Sequence, residues 1–114
     1  LGTNSEESVD YPDYAEKIAK YLKENSDYYG ILICGTGIGI SIAANRFSHI
    51  RAALCHNELT AEMSRNHNDA NVLVIGARIV SNDNAKKITE KFLNSEFAGE
   101  RHQNRVNKLS DIYN

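Results

Sequence analysis

A cysteine begins a glycine-rich turn that separates two apolar segments of the chain. The turn runs from Cys34 to Gly39, and Gly35 and Gly37 alternate with other residues inside it. Glycine permits positive φ angles and the close approach of a ligand to the backbone. The unpaired N–H groups of the helix that follows would face the same position. The spacing therefore predicts an anion-binding loop that contains a nucleophile or a base.

A second group of polar residues lies further along the chain. Residues 64–71 include seven polar side chains immediately before an apolar run, which is more than a simple turn requires. His67 is the candidate acid or base in this segment, because imidazole is the side chain most often used for proton transfer. Arg101 and Arg105 are four positions apart, so on a helix they share one face.

The elements that must position these residues alternate between strands and helices. Three short apolar runs, at residues 30–34, 50–55 and 71–76, predict strands. Apolar residues at helical spacing and capping residues predict helices that begin after Asp10, after the glycine turn, after Asn57, after Ser81 or Asn82, and near Gly99. The predicted inward stripes are Tyr14, Ile18, Tyr21 and Leu22, then Ile40, Ala43, Ala44 and Phe47, then Ala85, Ile88 and Phe92, and last Val106, Leu109 and Tyr113. This alternation favours a parallel sheet with helices on both faces.

Ligands bind to such sheets at the carboxyl ends of the strands. That rule places the Cys34 loop, the turn at Cys55 and His56, and the turn at 76–78 on one edge. Cys55 follows a strand without a glycine loop, so we expect it to be a buried structural thiol. Arg46, Arg51 and Arg65 are expected to be surface charges or members of ion pairs.

Composition limits the classes of function. A chain of 114 residues with 41% hydrophobic residues can bury one core, and its net charge of −2 gives no basic surface for nucleic acid. No apolar run approaches the roughly 20 residues that span a bilayer, and the first residues do not resemble a signal peptide. Two cysteines without a CxxC motif are expected to be free thiols. We therefore expect a cytoplasmic domain that does not bind nucleic acid or membranes.

Several separated segments together carry a family resemblance. They are SVDYPDYA (8–15), GILICGTGIGISIAAN (30–45), IRAALCH (50–56), RNHNDANVLVIGAR (65–78) and GERHQNRV (99–106). In this order they resemble the ribose-5-phosphate isomerase B family, which also includes the galactose-6-phosphate isomerase subunits. The resemblance implies a Rossmann-like three-layer α/β sandwich. It also implies an enzyme of the pentose phosphate pathway that interconverts ribose 5-phosphate and ribulose 5-phosphate through an enediolate, with no metal or organic cofactor.

The resemblance also implies a role for each matching residue. Cys34 matches the family's proton-shuttling base, and a thiolate is favoured beside a helix N-terminus. His67 matches the histidine that opens the sugar ring. The enediolate would be held by Thr36 and by the backbone N–H groups of Gly35, Gly37 and Gly39 to Ser41; Asn68 would bind substrate, Tyr11 and Arg78 would line the pocket, and Arg101 and Arg105 would bind the phosphate. In this family the pocket lies between two subunits, so a homodimer or a higher homo-oligomer is expected, in which His67 and the arginines serve the Cys34 of a partner chain.

The beginning of the chain departs from the family pattern. The family begins with a strand, an Asp-His pair and a helix, and this chain opens at Leu1-Gly2-Thr3 without them. A sheet that lacks its first strand has an unpaired edge or an internal gap. We expect residues 1–114 to be a single sugar-phosphate isomerase domain that is incomplete at its N-terminus, as part of a longer protein.

Other functions fit the residues less well or stay open. A thiol phosphatase loop has an arginine six positions after its cysteine, and that position is Ile40. A dinucleotide site needs Gly-x-Gly-x-x-Gly, whereas the glycines here are spaced Gly-x-Gly-x-Gly. The open alternatives are an isomerase of galactose or allose 6-phosphate and a non-catalytic subunit that binds a sugar phosphate.

Overall fold

The apolar runs form strands, and the capped segments between them form helices. The structure, a computed structural model, describes residues 10–99 and 101–111. Within these residues the elements are α1 (Tyr11–Glu24), β1 (Gly30–Cys34), α2 (Ile38–Ala44), β2 (Ala52–Leu54), α3 (Glu58–Asn66), β3 (Val72–Gly76), α4 (Asn82–Asn94) and α5 (Arg101–Asp111). In this part of the chain no helix is long and apolar enough to cross a membrane.

The three strands form one parallel sheet, as the alternation of elements predicted. The order is β1-β3-β2, with Cys34 opposite Gly76 and Leu54 opposite Val74. The carboxyl ends of the strands therefore meet at one edge of the sheet. The second strand is shorter than the predicted run 50–55, and before it begins the N–H of Arg51 donates to the Asn71 side chain at 2.7 Å.

Helices cover the sheet in two layers, and each layer has its own core. On one face α1 and α2 pack against Leu32, Val72 and Val74. On the other face α3 and α4 pack against Leu73 and Ile75. The inward residues predicted for α4 are confirmed, since Ile88 and Phe92 are buried and Ala85 packs beside them. The result is the predicted three-layer α/β sandwich.

Helix starts follow the predicted caps, with one difference. Asn57 accepts the N–H of Thr60 at 2.8 Å, and Ser81 accepts the N–H of Asn84 at 3.2 Å. Asp10 stands at the cap position of α1 but makes no capping hydrogen bond with its side chain. Pro12 in the first turn, whose fixed φ suits a helix start, remains as the local signal there.

Some predicted inward residues are exposed. Tyr21 is 42% exposed, because Ala15, Ala19 and Leu22 form the buried face of α1 instead. Leu109 is 49% exposed, whereas Val106 is buried as predicted. Tyr113 lies outside the described residues.

Helices cover both faces of the sheet as predicted, but among the described residues they leave one face of β1 open. Leu32 points into the core of α1 and α2 and is 5% exposed. Its neighbours Ile31 and Ile33 point to the other face and are 37% and 60% exposed. Within the described residues β1 is an edge strand, and α3 and α4 do not reach over it.

Candidate active site

The glycine turn lies at the carboxyl edge of the sheet, where the sequence placed it. Cys34 ends β1 and is half-buried, and Gly37 adopts a left-handed φ of 80° immediately before α2. The hydroxyl oxygen of Thr36 accepts the N–H of Ile38 at 3.3 Å, which leaves its hydrogen able to donate. In the described part of the chain no hydrogen bond occupies the N–H groups of Gly35 and Gly37. The turn therefore offers a thiol beside several unused donors.

Two backbone hydrogen bonds fix this turn to the loop that follows β3. The N–H of Ala77 donates to the Cys34 carbonyl at 2.8 Å, and the N–H of Arg78 donates to the Gly35 carbonyl at 2.9 Å. Gly76 lies directly beneath the turn, where an added Cβ would stand 2.5 Å from the carbonyl oxygen of Thr36. The position of the thiol is thus set by backbone contacts to a neighbouring strand.

Two of the predicted pocket-lining residues reach the same turn. The Tyr11 ring lies over Gly39, so that a Cβ there would stand 2.7 Å from its Cζ atom. The Arg78 side chain lies over Gly35, 3.4 Å from the corresponding position. Ser41, predicted with the loop, uses its N–H and its hydroxyl inside α2, to the carbonyls of Gly37 and Ile38.

The second cysteine is buried, as expected for a structural thiol. Cys55 is 2% exposed and packs in the core beneath α3 and α4. Burial raises the pKa of its thiol, and hydrogen bonds from Thr60 and Ser64 offset this in part. Cys34 is therefore the more accessible of the two thiols. The described residues contain no group of three His, Cys, Asp or Glu side chains that could hold a metal ion.

The other predicted catalytic residue lies at the end of α3. His67 is the C-terminal cap of α3, its N–H donates to the Met63 carbonyl at 2.9 Å, and its side chain is exposed. Asn68 follows and is also exposed. Asp69 then adopts a left-handed φ of 48°, which turns the chain into β3. This turn presents the His67 and Asn68 side chains to solvent.

A buried arginine holds this turn through an ion pair, which was one of the two alternatives expected for Arg65, although its burial was not expected. Arg65 is 4% exposed, and its guanidinium contacts the Asp69 carboxylate at 2.8 Å, the Ala70 carbonyl and the Tyr29 hydroxyl. Arg51 donates to the Asp69 carbonyl at 2.7 Å from the other side. Arg65 and Asp69 are four positions apart on the end of a helix, which is the sequence signal for such a pair.

The last helix begins beside His67. The His102 ring stacks on the His67 ring with centroids 4.5 Å apart and planes 13° from parallel. Arg105, one turn later, is exposed. Arg101 begins α5, but its side chain lies outside the described residues.

The candidate residues thus form two half-sites on opposite edges of the sheet. The thiol half-site, with Cys34, Tyr11 and Arg78, lies at the carboxyl ends of the strands. The histidine half-site, with His67 and Asn68, lies where β3 begins. The five residues of β3 separate these edges by roughly 13 Å at about 3.3 Å per residue. The structure brings together the members of each half-site, but it does not bring the two half-sites together.

Comparison with known proteins decides the family. A model of the family described as "Ribose/Galactose Isomerase" matches residues 1–109. This chain is a member of the ribose/galactose isomerase family. A putative sugar phosphate isomerase of Rickettsia conorii is 53% identical over 108 residues, 95% of this chain and 75% of the relative. Ribose-5-phosphate isomerase B of Escherichia coli is 48% identical over 111 residues, 97% and 74% of the two chains.

Solved structures of the ribose/galactose isomerase family match this fold closely. Ribose-5-phosphate isomerase B of Clostridium thermocellum superposes with a TM-score of 0.95 at 52% identity, over 99% of this chain and 76% of that one. The Mycoplasma genitalium enzyme with bound ribulose-5-phosphate gives a TM-score of 0.94 at 43% identity, over 99% and 76%. The chain therefore spans about three quarters of the length of these relatives.

Proposed function

We propose that this protein is an aldose–ketose isomerase that interconverts ribose 5-phosphate and ribulose 5-phosphate. The observation that carries the proposal is the Cys34 thiol in a turn with unused N–H donors, in a chain of the ribose/galactose isomerase family. The Mycoplasma genitalium relative with bound ribulose-5-phosphate supports this choice of substrate. The hexose 6-phosphate alternative is less favoured, because the relatives of known substrate in this comparison are ribose-5-phosphate isomerases.

Cys34 is assigned the transfer of a proton between two carbon atoms. Its thiolate removes the C2 proton of the open-chain aldose and the thiol then returns a proton to C1, while one proton moves from O2 to O1. The intermediate is an enediolate, whose negative oxygen needs donors fixed in place before the reaction. We assign that role to the Thr36 hydroxyl and to the N–H groups of Gly35 and Gly37. Gly39 and Ser41, in the first turn of α2, are proposed to line the same loop around the substrate.

The histidine half-site is assigned the remaining steps. Ribose 5-phosphate is mostly a closed ring, so His67 would transfer a proton to or from the ring oxygen and hydroxyl before enolisation begins. Asn68 would bind the sugar beside it. Arg101 and Arg105 would bind the phosphate, since two guanidinium groups on one helix face can hold one phosphate by paired hydrogen bonds.

We further propose that the working site combines half-sites of two chains. In support, Cys34 and His67 lie at opposite edges of one sheet, which the five residues of β3 separate by roughly 13 Å. A twofold homodimer would place each thiol half-site against the partner's histidine half-site and form two equal sites. We propose that this enzyme works in the cytoplasm, in pentose phosphate metabolism.

Replacing the proposed base tests the activity. Cys34→Ala should abolish detectable turnover of ribose 5-phosphate, because the proton between C2 and C1 then has no acceptor. Cys55→Ala is the matched control and should retain turnover, since this thiol is buried in the core. Galactose 6-phosphate and allose 6-phosphate are assayed in parallel with the unaltered protein. Binding of all substrates without turnover would refute the isomerase proposal in favour of a non-catalytic subunit.

Mixing two inactive variants tests the shared site. Cys34→Ala and His67→Ala chains are co-expressed, so that half of the dimers are mixed. Each mixed dimer contains one site with both changes and one site with neither, so about one quarter of the original activity should return in a twofold dimer. A site within a single chain predicts no recovery at all, and that result would refute the shared site while leaving the isomerase assignment intact.

A further inference from the structure

The stacked imidazole rings join two elements of the histidine half-site. His67 ends α3 and His102 lies in the first turn of α5, and their centroids are 4.5 Å apart at an interplanar angle of 13°. This separation is at the short end of the range in which offset aromatic rings attract each other. His67 is exposed and His102 is half-buried, so His102 is the member of the pair that the fold holds more firmly.

The backbone fixes both members of this pair. The N–H of Ala98 donates to the Asn66 carbonyl at 3.0 Å, which ties the connection before α5 to the end of α3. Gly99 then takes a left-handed φ of 72°, and the N–H of His102 donates to the Gly99 carbonyl at 3.1 Å. The start of α5 is thereby held beside the residue that precedes His67.

The stack restrains the His67 ring through its face. Among the residues that the structure describes, no hydrogen bond reaches either ring nitrogen of His67. A residue that transfers protons to a sugar needs a defined ring orientation together with a nitrogen that is free to contact the substrate. Contact through the ring face fixes the orientation of the ring and leaves both nitrogens free to contact the substrate.

We propose that His102 is a positioning residue that orients the His67 imidazole for opening of the sugar ring. This inference rests on the proposed function, since it gives His67 that step. It also predicts which property of His102 matters. The flat aromatic face orients His67, so another aromatic side chain at position 102 should serve nearly as well.

Two reactions of the same enzyme separate this role from a contact with the substrate. Turnover of ribose 5-phosphate requires ring opening, whereas exchange of the C1 proton of ribulose 5-phosphate with deuterated water requires only enolisation of an open-chain ketose. His102→Ala should lower the turnover of ribose 5-phosphate by about 3- to 10-fold, as estimated from the usual strength of an aromatic pair. The same variant should keep the rate of C1 proton exchange within about 2-fold of the original, because Cys34 and phosphate binding are unaffected. His102→Phe should keep both reactions within about 3-fold of the original.

The control and the direct readout use the same full-length protein. Gln103→Ala, on the neighbouring exposed position of α5, should change neither reaction. In nuclear magnetic resonance spectra, ring protons of His67 and His102 should show a cross-relaxation peak that His102→Ala removes.

Three results would overturn parts of the proposal in distinguishable ways. Equal losses in His102→Phe and His102→Ala, in both reactions and with a raised KM, would make His102 a substrate contact instead. Absence of the cross-relaxation peak in an active enzyme would refute the stack and leave the proposed function standing. Absence of turnover in the unaltered protein would refute the proposed function itself, whatever the spectrum shows.

Discussion

The close contact between Gly76 and the cysteine turn gives a sharp test of how the thiol is positioned. In Gly76→Ala the new Cβ would stand 2.5 Å from the Thr36 carbonyl oxygen and 2.7 Å from its carbon. An ordinary contact begins near 3.4 Å, so the gap must open by about 0.9 Å. Both neighbours are backbone, so no side chain can rotate away. The strain must instead move the turn itself.

The size of the effect follows from this displacement. The hydrogen bonds from Ala77 and Arg78 to the carbonyls of Cys34 and Gly35 hold the turn close to the strand, so it moves only by stretching them. A catalytic group displaced by about 1 Å loses roughly 100-fold in rate, and we expect a loss of that order in kcat/KM for ribose 5-phosphate. The overpacking itself should lower the free energy of unfolding by about 1–3 kcal/mol.

Gly30→Ala is the matched control at the other end of β1. Its Cβ would stand 2.9 Å from Cγ2 of Ile18, a core side chain on the face away from His67. We expect a similar loss of unfolding free energy in urea but little change in kcat/KM, with both variants assayed where they are folded. Full activity of Gly76→Ala would refute the idea that the turn is fixed by this contact, and equal activity losses in the two variants would reduce the effect to general instability.

Three further predictions concern stability and thiol chemistry. Leu32→Ala should lower the free energy of unfolding by about 2–5 kcal/mol, whereas Ile33→Ala should lower it by less than about 1 kcal/mol because Ile33 is 60% exposed. Urea titration at one protein concentration measures both losses, and equal losses would contradict the open face of β1. Asp69→Ala leaves the buried Arg65 without its carboxylate and should lower the free energy of unfolding by about 1–3 kcal/mol. Asp69→Asn should lower it by less, since asparagine keeps an acceptor and tolerates a left-handed φ. Equal losses in the same titration would argue against the ion pair. An aromatic disulfide reagent at pH 8 should label Cys34 well before Cys55, whose raised pKa and burial leave less reactive thiolate, and mass spectrometry of the labelled peptides would reveal any reversal of that order.

The sequence predicted the features that depend on nearby residues. Alternating strands and helices follow from the apolar runs, and the caps at Asn57 and Ser81 follow from hydrogen bonds within one helix turn. The glycine turn was equally local, because the left-handed backbone at Gly37 needs no distant partner to explain it. The family resemblance is the source of the roles proposed for the residues, which the patterns alone left open.

Exposure at particular positions could not be predicted, because it depends on which distant element covers them. Leu32 and Ile33 are adjacent apolar residues of one strand, yet 5% of the first and 60% of the second is exposed. Arg65 shows the opposite case, since this charged residue is buried where the Asp69 carboxylate, the Tyr29 hydroxyl and the carbonyls of Ser95 and Ala70 surround it. The spacing of Arg65 and Asp69 indicates an ion pair, but neither that spacing nor the apolar run of β1 indicates how far these side chains are buried.

The separation of the two half-sites follows from the topology itself. A helix that connects parallel strands starts at the carboxyl edge of the sheet and returns to the opposite edge, so a residue at its last position cannot share an edge with the end of a strand. His67 occupies such a position on α3, and Cys34 ends β1. Movement of a loop cannot remove a separation set by the length of β3. We therefore propose that a second chain brings the other group to the same sugar, and recovery of activity in mixed dimers is the measurement that would test it.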